Sequence, residues 1–425
     1  MRAFLRANAV TSLLALACCF ALAWLGLSGF AWTDYEVEAQ ASLEALVHGH
    51  VAEFLRLAPA YGGSLIERAP FALLPGLWGG GSLAVYRAVA VPCLLASAAL
   101  GVWLVAGMRA RGASRLARAT ALGICVANPL TLKALEIGHP EDVLGGSICV
   151  AAVALACRLG DRRRGALLAG ALVGLAVANK EWALLAAGPT LLALPPGRQR
   201  RLALLGCAFA AGVVLAPLLL VSGGGFAAGT KAAASTTSQI FQPWQVWWFL
   251  GHHGVVVHGL FGSAKPGYRT APSWIGAISH PAVLAFGVAL ALALWPRARR
   301  AALPEREALL ALALVLLARC MLDTWDISYY VVPFLFALLA WETRRPRVVP
   351  SPPLLALGCT VLSWLSFVWG PEHWDADVQA AAFLAWTVPL ALVLAVRLLH
   401  APPKWRPELR QETTVRALDS LVSTS

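Results

Sequence analysis

Residues 83–107 read LAVYRAVAVPCLLASAALGVWLVAG, and residues 108–118 directly after them read MRARGASRLAR. The first segment is long and apolar enough to cross a hydrocarbon core, which takes about 20 residues in helical form. The second carries Arg109, Arg111, Arg115 and Arg118. A short basic turn after a long apolar run is what a cytoplasmic loop of a membrane protein looks like.

The same alternation extends in both directions. Spans are expected near 9–31, 83–107, 117–134, 143–158, 165–179, 182–196, 202–222, 280–296, 308–322, 328–342, 352–370 and 378–399, which makes about twelve. Further basic clusters at Arg162–Arg164, Arg198/Arg200/Arg201, Arg297/Arg299/Arg300 and Arg344/Arg345/Arg347 fall in every second loop. Arg2, Arg6, Lys404, Arg406 and Arg410 share that side, so both termini are expected in the cytoplasm. Acids gather on the other side, among them Asp34, Glu36, Glu38, Glu67, Glu136, Glu141, Asp142, Glu181, Asp323, Asp326 and Asp377. The long connections, about 32–82 and 223–279, are outer loops in this reading, and the working face is expected there.

Composition agrees. Of 425 residues, 59% are hydrophobic and 13% charged, whereas a soluble domain carries about 25% charged residues. The net charge of +12 would suit nucleic acid, but the basic residues are spread as topology signals between spans. All nine cysteines, from Cys18 to Cys359, fall in or beside apolar spans, without metal-ligand spacing. The run 9–31 is too long for a signal-peptide core and is expected to be a retained first span. The expected fold is all-α: a polytopic membrane domain over 1–400 with outer-face loop helices, then a short cytoplasmic tail, 401–425.

Chemistry concentrates on the outer face. Trp32-Thr33-Asp34-Tyr35-Glu36-Val37-Glu38 opens the first outer loop. Its acids supply a general base or a metal ligand, or form a solvated interfacial cluster. On an extended segment alternate acids share a face, whereas on a helix they splay apart. Gly138-His139-Pro140-Glu141-Asp142 sits at the apex between spans three and four, either binding a polar headgroup or ion or forming a capped turn. Ala178-Asn179-Lys180-Glu181-Trp182 joins two spans of about 15 residues, roughly 22 Å long. That is short of the core thickness, so Lys180 is expected in a poorly hydrated cavity, as a functional cation or paired with an acid. The loop Ser238–Trp248 is aromatic, with His252, His253 and His258 after it, and reads as an interfacial helix or as rings for sugar stacking. Arg319 and Asp323 stand four apart and are expected to pair on one helix face.

A first span, an acid in a long outer loop and then many helices resemble the GT-C superfamily of integral-membrane glycosyltransferases. The nearest likeness is to glycosyltransferase family 87, which includes polyprenyl-phosphate-mannose-dependent mannosyltransferases. That family has a Gly-Gln-x-Asn-like turn before an apolar helix, then a basic cytoplasmic turn and an Ala-rich span ending near a lysine. Gly138–Asp142, Arg162–Arg164 and Lys180 occupy those places in order. The chain departs from the pattern in Gly138-His139-Pro140-Glu141, and in Glu181-Trp182 where a proline-containing stretch is common.

The resemblance implies transfer of a sugar, mannose in the family, from a polyprenyl-phosphate donor to a glycolipid or glycan hydroxyl, with inversion. It implies the cell membrane as the site, with the active side extracytoplasmic. Asp34 matches the superfamily's first-loop catalytic acid. Lys180 matches the family lysine, with Arg68 and His139 the next cations for a lipid phosphate; Glu36, Glu141, Asp142 and Asp323 complete the expected substrate-binding set. No cofactor and no metal site is assigned. The rival reading is a multi-pass transporter or lipid flippase.

Overall fold

A computed structural model describes residues 8–25, 34–222, 224–235, 241–254, 257–258, 264–344 and 352–400. Arg2, Arg6, Trp32, Thr33, Ser238–Ile240, Arg345, Arg347 and the tail 401–425 lie outside the described residues.

Helix α1 covers Ala9–Leu25. A π turn, Tyr35–Ala39, leads into the short helices α2 (Gln40–Val47), α3 (Val51–Arg56) and α4 (Gly62–Ala72). Next come α5 (Ser82–Ala110), α6 (Arg115–Val126), α7 (Pro129–Ile137) and α8 (Glu141–Leu159). After α9 (Arg163–Asn179) a 3-10 segment, Glu181–Ala186, passes into α10 (Ala187–Ala193). The chain continues with α11 (Arg198–Val221), α12 (Gly225–Ser235), the strands β1 (Val257–His258) and β2 (Ala264–Lys265), and α13 (Ser273–Ala298). Helices α14 (Glu305–Leu322), α15 (Val331–Glu342), α16 (Leu354–Trp364), α17 (Gly370–His373) and α18 (Ala376–Leu399) complete it. The two-residue hairpin, with Val257 opposite Lys265, is the one sheet among the described residues.

Seven helical segments are long and apolar enough to cross a membrane by length and composition: Ser82–Ala110, Arg115–Ile137, Glu141–Leu159, Arg198–Val221, Ser273–Ala298, Leu354–His373 and Ala376–Leu399. They coincide with seven of the expected spans. The other five expected spans are shorter or more polar. Helix α15 has 12 residues, about 18 Å, and every one of them is buried. The first turn of α14 contains Glu305 and Glu307. The expected span 117–134 is two helices, because Asn128 caps a new start: its carbonyl oxygen Oδ1 accepts the Leu130 N–H, and Pro129 follows at the first helical position.

The order of burial is that of a bundle in hydrocarbon. Helix α15 from Val331 to Trp341, and α14 from Ala308 to Ala318, are apolar on all sides and enclosed by the others. Helices α11, α13 and α18 present apolar faces outward; on α11 Phe209 is 74% exposed and Leu220 81%. In water such faces would associate, whereas lipid covers them without cost. Close helix contact then rests on small side chains. Gly170 and Gly174 of α9 lie directly against the Ala203 and Cys207 carbonyls of α11, where a Cβ atom would collide.

Candidate functional site

The site begins at a glycine. Gly138 ends α7 in the left-handed region, φ 116°, and a Cβ there would stand 2.5 Å from the Tyr35 amide nitrogen. The first loop therefore packs its backbone onto this turn. Tyr35 fixes the docking by stacking on Tyr86 at 4.2 Å, and the Tyr86 hydroxyl donates to the Leu135 carbonyl at 2.5 Å. Asp34 is delivered beside His139: Oδ2 lies 3.2 Å from Nε2.

His139 is buried between the rings of Tyr61 and Tyr329, at 5.4 and 4.5 Å. Its Nδ1 is 2.6 Å from Glu141 Oε1. Burial and Lys180 oppose a charge on the ring, but Glu141 and Asp34 outweigh them and push its pKa up to about 9. With a carboxylate against each ring nitrogen, the site favours the imidazolium, which donates one N–H to each.

Glu141 and Asp142 occupy the first turn of α8, where unpaired backbone N–H groups favour carboxylates, and both are fully buried. Lys180 comes from the other side. Helix α9 ends at Asn179, the backbone turns extended at Lys180 (φ −162°, ψ 132°), and Nζ donates to Asp142 Oδ2 at 2.7 Å and Glu141 Oε1 at 3.2 Å. Burial resists its charge, yet Asp142 and Glu141 hold the ammonium above its usual range. Asn179 ties the two helices together: Nδ2 donates to the Glu141 carbonyl at 2.9 Å, while Oδ1 accepts from Ser64 Oγ at 2.7 Å.

Two arginines close the cluster. Arg68 on α4 is buried, its Nη2 3.5 Å from Glu141 Oε2. Arg319 on α14 places Nη2 3.7 Å from Asp142 Oδ1 and lies over the rings of Tyr330 and Trp182, at 4.0 and 4.6 Å. Beyond it Asp323 is buried, paired with His280 at 3.5 Å and accepting the Trp325 N–H at 3.0 Å.

The structure brings Asp34, Arg68, His139, Glu141, Asp142, Lys180 and Arg319 into one ionic chain, while Asp323 stands beside it, paired with His280. Glu36 is not part of it. The segment after Asp34 is helical, so the alternate acids splay, and Glu36 is exposed on the far face. Lys180 is buried as expected, and it is paired. Asp142 is not a capping residue; its carboxylate goes to Lys180 and not back to its own helix. Arg319 and Asp323 do not pair side chain to side chain: α14 ends at Asp323 in extended backbone, which turns its carboxylate to His280 and leaves Arg319 for Asp142.

The aromatic loop is not an interfacial helix over its described part. Gln242 and Val246 donate N–H groups to the Thr324 and Met321 carbonyls at 3.0 and 2.8 Å, strapping the loop across the end of α14. Trp248 is fully buried and donates to Asp377 at 2.7 Å, so its ring serves packing. His252 and His253 are exposed. Tyr61, Ser64 and Tyr329 were not singled out as site residues. The one signal for Ser64 is its helical spacing of four from Arg68, whose Nε donates to the Ser64 carbonyl at 3.1 Å. Among the described residues no group of three or more His, Cys, Asp or Glu side chains is placed to hold a metal ion.

Comparison with protein-family models and with curated proteins finds no match for this chain.

Proposed function

We propose that this protein is a multi-pass glycosyltransferase of the GT-C kind, using a polyprenyl-phosphate sugar and resembling glycosyltransferase family 87. One observation carries the reading: Asp34, contributed by the first loop, meets the buried cluster of Lys180, Arg68 and Arg319 through His139, with contacts of 3.2 and 2.6 Å. Asp34 keeps 22% of its side chain exposed, whereas the rest of the cluster is nearly closed to solvent. A reachable carboxylate beside buried cations is the pairing that glycosyl transfer from a lipid phosphate requires.

In this mechanism Asp34 accepts the proton of the acceptor hydroxyl as its oxygen attacks the anomeric carbon. The bond from that carbon to the phosphate oxygen breaks, and the lipid phosphate leaves with the electron pair. Negative charge grows on the phosphate, and fixed cations in a water-poor site stabilise it. His139 is the cation nearest Asp34. Glu141 and Asp142 keep Lys180, Arg68 and Arg319 in place in the absence of substrate. The sugar is mannose and the acceptor a glycolipid or glycan by family likeness.

In the membrane, twelve helices cross: the seven long ones and five others, of which α14 and α15 are enclosed by their neighbours while α1 faces outward. The arginine-rich turns face the cytoplasm with both termini, and the Lys180 cluster opens to the extracytoplasmic side of the cell membrane. The test uses membranes containing wild-type or Asp34→Asn protein and a radiolabelled polyprenyl-phosphate mannose. Transfer is expected to fall by about 10²–10⁴-fold in Asp34→Asn. Undiminished transfer by that variant removes Asp34 as the base.

A specific observation also favours the transporter reading. The helix break at Lys180, with α9 on one side and the 3-10 segment and α10 on the other, resembles the interrupted helices of secondary transporters. Sealed vesicles separate the two readings: movement of lipid-linked sugar across the bilayer without covalent product belongs to a transporter.

A further inference from the structure

The opposite ends of the helices that build the Lys180 site meet in a second charged cluster, and its composition is unbalanced. Arg158, at the end of α8, and Arg344, just past α15, share one carboxylate oxygen. Arg158 Nη2 and Arg344 Nε each lie 3.2 Å from Glu305 Oε1. Both guanidiniums lie over the ring of Trp103, at 4.7 and 4.3 Å. A third arginine stands beside them. Gly107 has no side chain, and the space its Cβ would fill is bordered by Arg344 Nη1 at 2.9 Å and Arg111 Nη1 at 3.5 Å.

Two further acids lie on the same elements. Glu307 pairs with Arg297, and Glu342 accepts the Leu355 and Ala356 N–H groups at 3.2 and 2.8 Å. Arg344 is the central member: only 7% of its side chain is exposed, and its buried Nη2 has no hydrogen-bond partner. A buried guanidinium edge without an acceptor is costly, and the cost disappears when an anion enters. Arg158, on the same carboxylate, is 43% exposed.

We propose that Arg344 and Arg158, with Arg111 beside them, form a binding site for a phosphate-bearing anion at the end of the bundle opposite Lys180. A tetrahedral phosphate matches the unpartnered edge of Arg344, with Trp103 closing one side; Arg111, whose Nη2 donates to the Thr343 carbonyl at 2.6 Å, adds positive charge nearby. The chemistry is shared by two sources, the headgroup of an anionic phospholipid and free inorganic phosphate. The site stands independently of the glycosyl-transfer reading.

The full-length protein is purified in a non-ionic detergent and stripped of lipid. Binding of phosphatidylglycerol and of phosphatidylcholine is followed by native mass spectrometry, and of inorganic phosphate by calorimetry. Arg344→Gln is expected to weaken phosphatidylglycerol or phosphate binding by about tenfold or more, the loss of one charge-assisted hydrogen bond. Arg344→Lys is expected to retain part of it. Glu305→Gln removes the competing carboxylate and is expected to bind more tightly than wild type, which guards against a mere folding defect in Arg344→Gln. Preference for phosphatidylglycerol over phosphatidylcholine, without binding of inorganic phosphate, assigns the site to a lipid headgroup. Binding of inorganic phosphate alone assigns it to a soluble anion. The proposal is overturned if neither phosphatidylglycerol nor inorganic phosphate shows arginine-dependent binding, or if Glu305→Gln binds no better than wild type.

Discussion

Lys180 and its two carboxylates illustrate how a buried charge is tolerated. An ammonium alone in this position would be expelled or deprotonated, but Glu141 and Asp142 each accept from it, with Arg68 beside Glu141 and Arg319 beside Asp142. Removing the lysine leaves Glu141 with His139 and Arg68, but leaves Asp142 with only the long 3.7 Å contact to Arg319. Lys180→Met is therefore expected to lose about 3–5 kcal/mol of stability, while the double variant Lys180→Met/Asp142→Asn recovers much of it. Thermal unfolding of the solubilised proteins measures both, and equal midpoints for the single and double variants would contradict the pairing. His139 adds a pH dependence. Its folded-state pKa, about 9, lies above its ordinary 6.5. The stabilisation is complete below pH 6.5 and fades as pH rises through 9, because the folded state then loses the proton it holds more tightly. The wild-type midpoint is expected to drop across that window and that of His139→Asn to drop less. Parallel curves for the two proteins would remove His139 as the titrating group.

At the scale of elements, the turn at Gly138 positions the site. Gly138→Ala places a methyl group against the Tyr35 backbone and strains a positive φ, pushing Asp34 away from His139. Its transfer rate is expected to fall by about tenfold or more, since small misplacements of reacting groups are costly. Gly49→Ala is the control, with a positive φ of 82° but open space around it, and is expected to leave the rate unchanged. Equal rates for Gly138→Ala and wild type would uncouple the turn from the chemistry. The long helices were legible in the sequence because seven apolar runs are long enough to cross a hydrocarbon core and arginines punctuate them. Helices α14 and α15 were legible as apolar runs, but their enclosure depends on neighbours that no local pattern reports. For the same reason Asp34, His139 and Lys180 were visible one at a time, while the bridge between them was not. It depends on a close backbone approach at Gly138. Glu36 stands apart from the ionic chain because the acids after Asp34 lie on a helical turn, where a spacing of two points away.

For the whole molecule, the decisive arrangement is two charged layers joined by the same helices. Helix α8 begins with Glu141 and Asp142 in one layer and carries Arg158 in the other. Helix α14 runs the opposite way, from Glu305 to Arg319. The 19 residues of α8 span about 28 Å, close to the hydrocarbon thickness of a bilayer, so both layers fit at the two interfaces without burying charge among acyl chains. The arginine layer is the one that the positive-inside bias assigns to the cytoplasm. Cysteine labelling tests this directly, because the nine native cysteines are buried or only partly exposed and give a low background. Glu53 and Arg163 are both exposed, near opposite layers. In intact cells a membrane-impermeant maleimide is expected to label Glu53→Cys and to spare Arg163→Cys until the membrane is permeabilised. The reverse pattern would invert the molecule and turn Asp34 toward the cytoplasm. Labelling of both positions in intact cells would mean that the two layers are not separated by a bilayer, and the lipid-borne donor would have no route to Asp34.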